Sequence, residues 1–187
     1  ADEAVYRSLI GALLYTILTR LDVAAAVSIL ARYMGAPQKA HMKGALRLLR
    51  YLYHTRHKRL LFSPTNTEKG SEVEAYTDSA HQNCLDTARS RAGFLVLFCS
   101  CLVSWKSKMQ SIVAQSSTEA EYIASNDAVK ETIWIRRMTK ELGFPQKPTK
   151  VHIDSMSAKG LASAQMTKTL TKHIRLRYHW VREQVAA

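Results

Sequence analysis

Three acidic residues occupy positions that could hold a divalent metal ion. Asp78 follows the alternating run VEAYT, Asp154 follows KVHI, and Glu121 lies near the start of a long predicted helix. An isolated Asp after a strand usually forms a turn, but three such carboxylates within one α/β unit indicate a shared site. Two-metal nucleases use converging carboxylates to hold their ions, and Mg²⁺ prefers oxygen ligands of this kind. We therefore predict a magnesium site made by these three residues.

Two glutamates compete for the place near the helix start. Ser116 with Glu119 and Thr118 with Glu121 both fit the spacing of a capping box, so either glutamate alone could simply cap the helix. At about 100° per residue, Glu119 lies roughly 200° from Glu121. Glu121 shares a mostly apolar stripe with Ala124, Ala128, Ile135, Met138 and Leu142. A carboxylate on an inward stripe is costly unless a positive group meets it, so we expect Glu121 to be the metal ligand.

The overall composition predicts a folded protein with a polyanionic partner. With 187 residues, of which 47% are hydrophobic, the chain can form one sizeable domain or a small domain with an appendage. A net charge of +12 and a pI near 9.8 favour nucleic acid or an anionic membrane surface as partner, with a merely soluble basic protein as the alternative.

The cysteines and the hydrophobic segments predict the cellular compartment and the redox state of the thiols. Cys84, Cys99 and Cys101 are odd in number and lack a CxxC spacing, so they indicate neither a disulfide framework nor a zinc site. Apolar stretches of membrane-spanning length and a secretory signal pattern are both missing. We therefore expect an intracellular protein with reduced thiols and no membrane contact.

Periodicity predicts two parts. Residues 3–35 and 38–54 favour helices, with a break near residues 19–22 in the first. The polar side of the second helix carries Lys39, Lys43, Arg47 and Arg50, which fits a solvated face and phosphate contact equally well. The polar run SPTNTEKGS at 63–71 predicts a linker between a helical segment, 1–62, and a second domain, 72–187.

The second domain is predicted to be α/β. We expect strands at 73–77, 93–98, 102–105 and 151–153, and a helix from 117 to 142 that stops at Gly143. Shorter helices are expected at 158–164 and 171–187. A strand with Asp, two further strands, a helix with Glu and a strand with Asp form an order that resembles the ribonuclease H fold.

Several motifs in the sequence are similar to those in the C-terminal part of copia-type LTR-retrotransposon Pol polyproteins. The runs that carry this similarity in the second domain are AYTDS at 75–79, VSWKSKMQ at 103–110, SSTEAEY at 116–122 and HIDSMSA at 152–158. The runs YRSLIGALLY at 6–15 and HMKGALRLLRYL at 41–52 resemble the thumb or connection segment that follows the reverse-transcriptase palm. The resemblance implies a ribonuclease H-like mixed sheet with flanking helices, preceded by a helical segment.

The resemblance also implies an activity. Asp78, Glu121 and Asp154 match the family's catalytic carboxylates, which would hold Mg²⁺, with Mn²⁺ as an alternative, and hydrolyse the RNA strand of an RNA–DNA hybrid to leave a 3′-hydroxyl. Contacts to the groove and phosphates of the hybrid are expected from Ser79, Asn83, Trp105, Lys106, Lys108, Gln115 and Ser116. For Trp105, simple core packing is an equal alternative.

Departures from the family pattern leave other functions open. The family's fourth carboxylate lies on a terminal helix after one more strand, and the sequence ends before both, so a C-terminally truncated fold is expected. Arg175 stands where the family has an Asp. The alternatives are a catalytically impaired module that binds nucleic acid or protein, and a fragment that self-associates. A reverse-transcriptase palm domain is a further candidate partner, and the expected location is the cytoplasm, in virus-like particles, or the nucleus.

Overall fold

The computed structural model describes residues 2–63, 72–82, 84, 86–154 and 179–186. The chain divides into two compact units, Ala1–Leu61 and Phe62–Ala187. Most of the predicted linker, residues 64–71, lies outside the described residues, as do the predicted helix at 158–164 and Arg175.

The first unit consists of helices. Helix α1 spans Glu3–Thr16, a 3₁₀ turn spans Leu21–Val23, α2 spans Ala24–Ala31, and α3 spans Lys39–His54. The interruption falls where the sequence predicted it. Apolar side chains from all three helices form one core, made of Tyr6, Ile10, Leu13, Val23, Val27 and Ala45.

The basic side of α3 is exposed. Lys39, Lys43, Arg47 and Arg50 lie on the solvent side of the helix, opposite the buried Ala45. A solvated face and a phosphate-binding face both require this exposure, so the two interpretations stay open.

The second unit is built on a mixed four-stranded sheet. Strands β1 (Val73–Ala80), β2 (Arg91–Phe98), β3 (Cys101–Met109) and β4 (Lys150–Ile153) lie in the order β3-β2-β1-β4. β2 is antiparallel to both neighbours, whereas β4 is parallel to β1. Parallel strands need a crossover connection; helix α4 (Ser117–Glu141) lies between β3 and β4 in the chain. This arrangement confirms the α/β, ribonuclease H-like fold class.

All four strands are longer than the sequence predicted, and β1 and β3 differ most. β1 continues to Ala80 and β3 to Met109, because both keep pairing with β2 through its first residue, Arg91. The prediction that the third strand ends at residue 105 was therefore wrong, since the basic run at 106–109 belongs to β3. Asp78 likewise lies within β1, opposite Gly93, and not after the strand.

Helix α4 packs on the sheet through an inward line that differs in part from the predicted one. Ala128 and Ile135 are buried against the sheet, but Met138 and Leu142 are 38% and 66% exposed. Thr139 is buried instead, because it lies 18 residues, or five full turns, from Glu121. Its hydroxyl bonds to the carbonyl of Arg136 at 3.1 Å, which satisfies the group inside the core.

The end of α4 follows the prediction. Gly143 has φ of +90°, a left-handed conformation that glycine adopts without strain. The N–H groups of Gly143 and Phe144 donate to the carbonyls of Lys140 and Thr139 at 3.1 and 2.8 Å, the pattern of a Schellman cap. A last helix, α5, spans His179–Ala186 and packs Val181 against Tyr122 and Val129 of α4. No disulfide joins Cys84, Cys99 and Cys101 within the described residues. Among the described residues, no helix is both long and apolar enough to cross a membrane.

A partly buried arginine, Arg20, connects the helices of the first unit, and its ion pair makes the stability of that unit depend on pH. Arg20 donates to Asp22 at 2.7 and 2.9 Å, and the Tyr51 hydroxyl donates to the same carboxylate at 2.8 Å. The bond from Arg20 lowers the pKa of Asp22 to about 2. Because this pKa is depressed, the pair stabilises the folded state above the ordinary pKa of Asp, near 3.8, and this contribution is lost as pH falls towards 2.

We expect Asp22→Asn to lower the free energy of unfolding by about 1 kcal/mol at pH 7, since the carboxylate is partly screened by solvent. The difference between the variant and the wild type should be constant above about pH 4 and shrink below it. This difference in the free energy of unfolding is measured by urea unfolding of the full chain at several pH values, with amide hydrogen exchange in α3 as the probe. Glu141→Gln serves as a control for loss of an exposed acid; an equal effect of both substitutions would contradict the prediction.

Candidate metal centre

Two of the predicted carboxylates meet because parallel strands carry them to the same end of the sheet. β1 and β4 are in register with Thr77 opposite Ile153. The next residues along the two strands are Asp78 and Asp154, and both are exposed. The pairing of β1 with β4 therefore places two acidic side chains side by side.

The start of α4 separates the roles of its two glutamates. Ser116 is the N-cap residue, and its hydroxyl oxygen accepts the N–H of Glu119 at 3.1 Å. The Glu119 carboxylate accepts the N–H of Gln115 at 2.7 Å. Glu119 is thus the capping glutamate, and Glu121 is not needed for that purpose.

Glu121 points inward, as its place on the helix predicted, and is only 6% exposed. Its Oε1 atom accepts two hydrogen bonds from Ser79, one from the backbone N–H at 3.1 Å and one from the hydroxyl at 2.9 Å. Ser79 is the residue after Asp78 in β1. These two bonds therefore fix the first turns of α4 against the strand that carries the first aspartate.

The structure brings the three predicted carboxylates into one cluster. One oxygen each from Asp78, Glu121 and Asp154 lies within 4.8 Å of the others. Within the described part of the chain this is the sole group of three or more potential metal ligands of this kind. The cluster combines one buried carboxylate with two exposed ones, so it is open on one side.

In the ranges that the structure describes, no ion pair compensates the charges of the cluster. Burial raises the pKa of Glu121 above its ordinary value; the hydroxyl of Ser79 counteracts this, and the charge of Asp154 raises the pKa further. The second oxygen of Glu121, Oε2, is buried without a hydrogen-bond partner among the described residues. A buried carboxylate oxygen in this state is costly unless a cation or a donor meets it.

These observations fit a divalent cation. All the ligand atoms are carboxylate oxygens, the type that Mg²⁺ and Mn²⁺ prefer over nitrogen or sulfur. A cation beside Glu121 would meet the orphaned Oε2 and offset the repulsion among the three carboxylates. The residues at this position are therefore suited to hold such an ion.

The residues predicted to contact a hybrid do not all lie on one face of the second unit. Lys106 and Lys108 point to the α4 side of the sheet, and the alternation of the strand places Trp105 on the other face. Lys106 forms an ion pair with Asp127 of α4 at 2.9 Å. Gln115 and Ser116 are exposed at the start of α4. Ser79 binds Glu121, as described above. Asn83 lies outside the described residues.

One residue at the site was missed by the sequence reasoning. Gln110 directly follows β3 and is buried, and its Nε2 donates to the carbonyl of Ala120 at 2.8 Å, one residue before Glu121. It holds the end of β3 to the first turns of α4. Its signal in the sequence is the alternation Ser104, Lys106, Lys108, Gln110, which places it on the face covered by the helix once β3 extends that far.

Fold and site together define an α/β domain with an acidic cluster at the end of two parallel strands. No family model matches the chain. It is 41% identical over 183 residues to a retrovirus-related Pol polyprotein from transposon TNT 1-94 of Nicotiana tabacum, an alignment that covers 96% of this chain and 13% of that protein. It is 33% identical over 185 residues to the one from transposon RE1 of Arabidopsis thaliana, with 98% and 12% covered.

The chain belongs to the family of retrovirus-related Pol polyproteins of copia-type transposons, and it spans about an eighth of the length of these relatives. A protein named secreted RxLR effector protein 161, from Plasmopara viticola, is 37% identical over 136 residues, which are 72% of this chain and 94% of that protein.

Among solved structures, ribonuclease H1 from Halobacterium salinarum is 20% identical with a TM-score of 0.38, over 60% of this chain and 78% of that one. A similarity at this level carries no conclusion about the protein.

Removal of the Ser79 hydroxyl should raise the pKa of Glu121 further. The hydrogen bond from this hydroxyl stabilises the ionised carboxylate and so lowers its pKa. We expect Ser79→Ala to shift the Glu121 titration to higher pH, because the ionised carboxylate loses one of its two hydrogen-bond donors. Titration of the Glu121 carboxyl carbon by NMR measures this. Ser8→Ala, an exposed serine of α1, should leave it in place; an unchanged pKa in Ser79→Ala would contradict the assigned bond.

The two glutamates at the start of α4 should respond in opposite ways to removal of their charge. Because the pKa of Glu121 is raised in the folded state, ionisation of this residue costs stability as pH rises through that pKa. In EDTA at pH 8, Glu121→Gln should therefore unfold at an equal or higher temperature than the wild type. Glu119→Gln should be less stable by about 0.5–1 kcal/mol, because it weakens the helix cap.

The effect of added Mg²⁺ on the unfolding temperature should also distinguish these two variants. An ion that binds only the folded state raises the unfolding temperature by mass action. The wild type and Glu119→Gln should both show this rise, and Glu121→Gln should not. A rise of equal size in all three proteins would exclude Glu121 as a ligand.

Proposed function

We propose that the second unit is a ribonuclease H-type endonuclease that hydrolyses the RNA strand of RNA–DNA hybrids with the help of Mg²⁺. The observation that carries this proposal is the convergence of carboxylate oxygens of Asp78, Glu121 and Asp154 within 4.8 Å of one another. The buried Oε2 of Glu121, which has no hydrogen-bond partner among the described residues, supports it. Two-metal hydrolysis of a phosphodiester needs ligands that hold the ions close together, and a carboxylate cluster of this type can supply them. Membership in a family of retrovirus-related Pol polyproteins supports a nucleic-acid substrate.

In this function the three carboxylates are metal ligands with different surroundings. Asp78 and Asp154 are exposed, so they face the substrate, whereas Glu121 lies behind them. Bound Mg²⁺ would activate a water molecule and stabilise the leaving 3′ oxygen. Water adds to the phosphorus atom, the bond to the 3′ oxygen breaks, and the products carry a 3′-hydroxyl and a 5′-phosphate.

Ser79 acts as a positioning residue in this proposal. Its N–H and hydroxyl both donate to Oε1 of Glu121, which leaves Oε2 directed away from these bonds and available as a ligand. This role differs from the contact to the hybrid expected from the sequence. The hydrogen bonds also keep Glu121 ionised more readily than burial alone would allow.

Binding of the hybrid is assigned to the cationic and polar residues around the cluster. Lys108, Gln115 and Ser116 are exposed and free to contact phosphates or the groove, and Lys106 would do so by releasing Asp127. A net charge of +12 strengthens attraction to any nucleic acid. The proposal therefore includes binding that weakens steeply with salt concentration.

The decisive measurement is cleavage of an end-labelled RNA–DNA hybrid in the presence of Mg²⁺, Mn²⁺ or EDTA. We expect metal-dependent cleavage of the RNA strand, and a loss of about 100-fold or more in Asp78→Asn, because removal of even a residue that supports a ligand costs 10–100-fold in metal sites. The variant keeps the shape of the side chain and should remain folded.

Glu141→Gln, an exposed acid at the end of α4, is the matched control and should cleave at the wild-type rate. Wild-type cleavage by Asp78→Asn would refute the assignment of the site. Binding of the hybrid without cleavage by the unmodified chain would identify the unit as a nucleic-acid-binding module that keeps the fold but not the activity.

A further inference from the structure

A groove separate from the carboxylate cluster lies between the edge of the sheet and α4. It has a volume of about 560 Å³, within the range of pockets that hold small molecules. Its floor is formed by β2 at 92–94 and by the side chains of β3, its wall by the 123–130 stretch of α4, and one end by Trp180 of α5. None of its lining residues belongs to the carboxylate cluster.

The groove is positively charged. Lys106 and Lys108 enter it from β3, Lys130 enters it from α4, and Asp127 is the one acidic residue that lines it. The ion pair with Asp127 occupies Lys106. Lys108 has no acidic partner among the residues that the structure describes, and the Lys130 ammonium lies 5.8 Å from the centre of the Trp180 ring. Two ammonium groups are therefore left to attract an anion.

Two buried side-chain amides in the lining have unmet hydrogen-bond capacity. Gln110 and Asn126 are 5% and 6% exposed. The bond from Gln110 Nε2 to Ala120 fixes the orientation of that amide, so its Oε1 is an acceptor. Neither Gln110 Oε1 nor Asn126 Oδ1 has a hydrogen-bond partner among the described residues. Buried acceptors are normally hydrogen-bonded, so each of these oxygens can accept a donor from a ligand in the groove.

We propose that this groove binds a nucleotide. Lys108 and Lys130 would hold its phosphate, the amide oxygens of Gln110 and Asn126 would accept hydrogen bonds from N–H groups of the base, and the indole of Trp180 offers an aromatic surface beside the base. Inorganic phosphate would pair with the two lysines, but it has no base whose N–H groups could donate to the amide oxygens of Gln110 and Asn126. Guanine fits the two acceptors well, because its N1–H and N2–H groups are adjacent donors.

The nucleotide can come from two sources. It can be a free nucleoside monophosphate, or it can be one nucleotide of a longer strand. In the sheet, Ser79 is paired with Ala92 and Ala92 with Lys108, so Lys108 lies two strand spacings, about 10 Å, from the serine that holds Glu121. A strand that passes the carboxylates can reach the groove. Binding there requires no metal and does not depend on cleavage.

The test uses GMP as the probe, with the full chain in EDTA, by calorimetry and by the side-chain amide signals of Gln110 and Asn126. We expect saturable binding that Lys130→Glu and Asn126→Leu weaken at least tenfold. Lys130 is exposed, so the first variant keeps the core intact even where the second disturbs folding. Lys147→Glu, an equal change of charge at an exposed lysine outside the groove, should bind GMP like the wild type.

A second experiment distinguishes a free nucleotide from a nucleotide of a strand. It also tests the groove independently of the proposed endonuclease. If GMP does not bind, but Lys130→Glu weakens binding of an RNA–DNA hybrid at least fivefold more than Lys147→Glu at the same salt concentration, the groove takes a nucleotide of a strand. Absence of both effects would overturn the proposal. GMP binding in a chain that cleaves no hybrid would leave the groove standing while the proposed endonuclease fails.

Discussion

The second unit depends on keeping a buried carboxylate close to two others of the same charge. At separations near those in the cluster, each pair of ionised groups repels by on the order of a few kcal/mol in a protein environment. Two features of the chain resist this repulsion. The pairing of β1 with β4 fixes the two aspartates through backbone bonds, and Ser79 fixes Glu121 with two donors at once. Stability is thus spent to assemble a site that the hydrophobic core does not need.

The elements around the cluster are arranged to hold α4 at its first turns. The Ser116 cap defines where the helix begins, Gln110 joins its first turns to the end of β3, and Ser79 joins them to β1. Further along, small residues such as Ala124 and Ala128 let the helix approach the sheet closely. The helix is therefore fixed by polar contacts near the cluster and by apolar packing away from it.

Much of this arrangement could be predicted from local sequence patterns. Alternation located the strands, capping residues located the start of α4, and helical periodicity distinguished Glu121 from Glu119. The same reasoning was wrong where a tertiary contact decided the outcome. β1 and β3 continue through polar residues because β2 provides backbone partners. Thr139 is buried in place of Met138 because it lies five full turns from Glu121, and the carbonyl of Arg136 accepts its hydroxyl there.

Interactions between distant elements gave no signal in a single sequence. The bonds from Ser79 to Glu121 and from Gln110 to Ala120 join residues whose proximity follows only from the folded sheet. The groove beside α4 is of the same kind, because Lys108 and Lys130 become neighbours only when the edge strand and the helix pack together. Homology to Pol polyproteins places the segment in a family but does not describe these contacts.

The short strand β4 has a consequence for how the unit assembles and opens. It has four residues, from Lys150 to Ile153, and among the described strands its one pairing partner is β1. Asp154 therefore joins the cluster through the least extensive pairing in the sheet, across a long loop of chain whose closure costs entropy. An ion bound by both Asp78 and Asp154 would hold the two ends of that loop together. Metal binding and the pairing of β4 with β1 would then stabilise each other. Fraying of one edge strand would in turn disassemble the centre while the β1–β2–β3 meander stays folded.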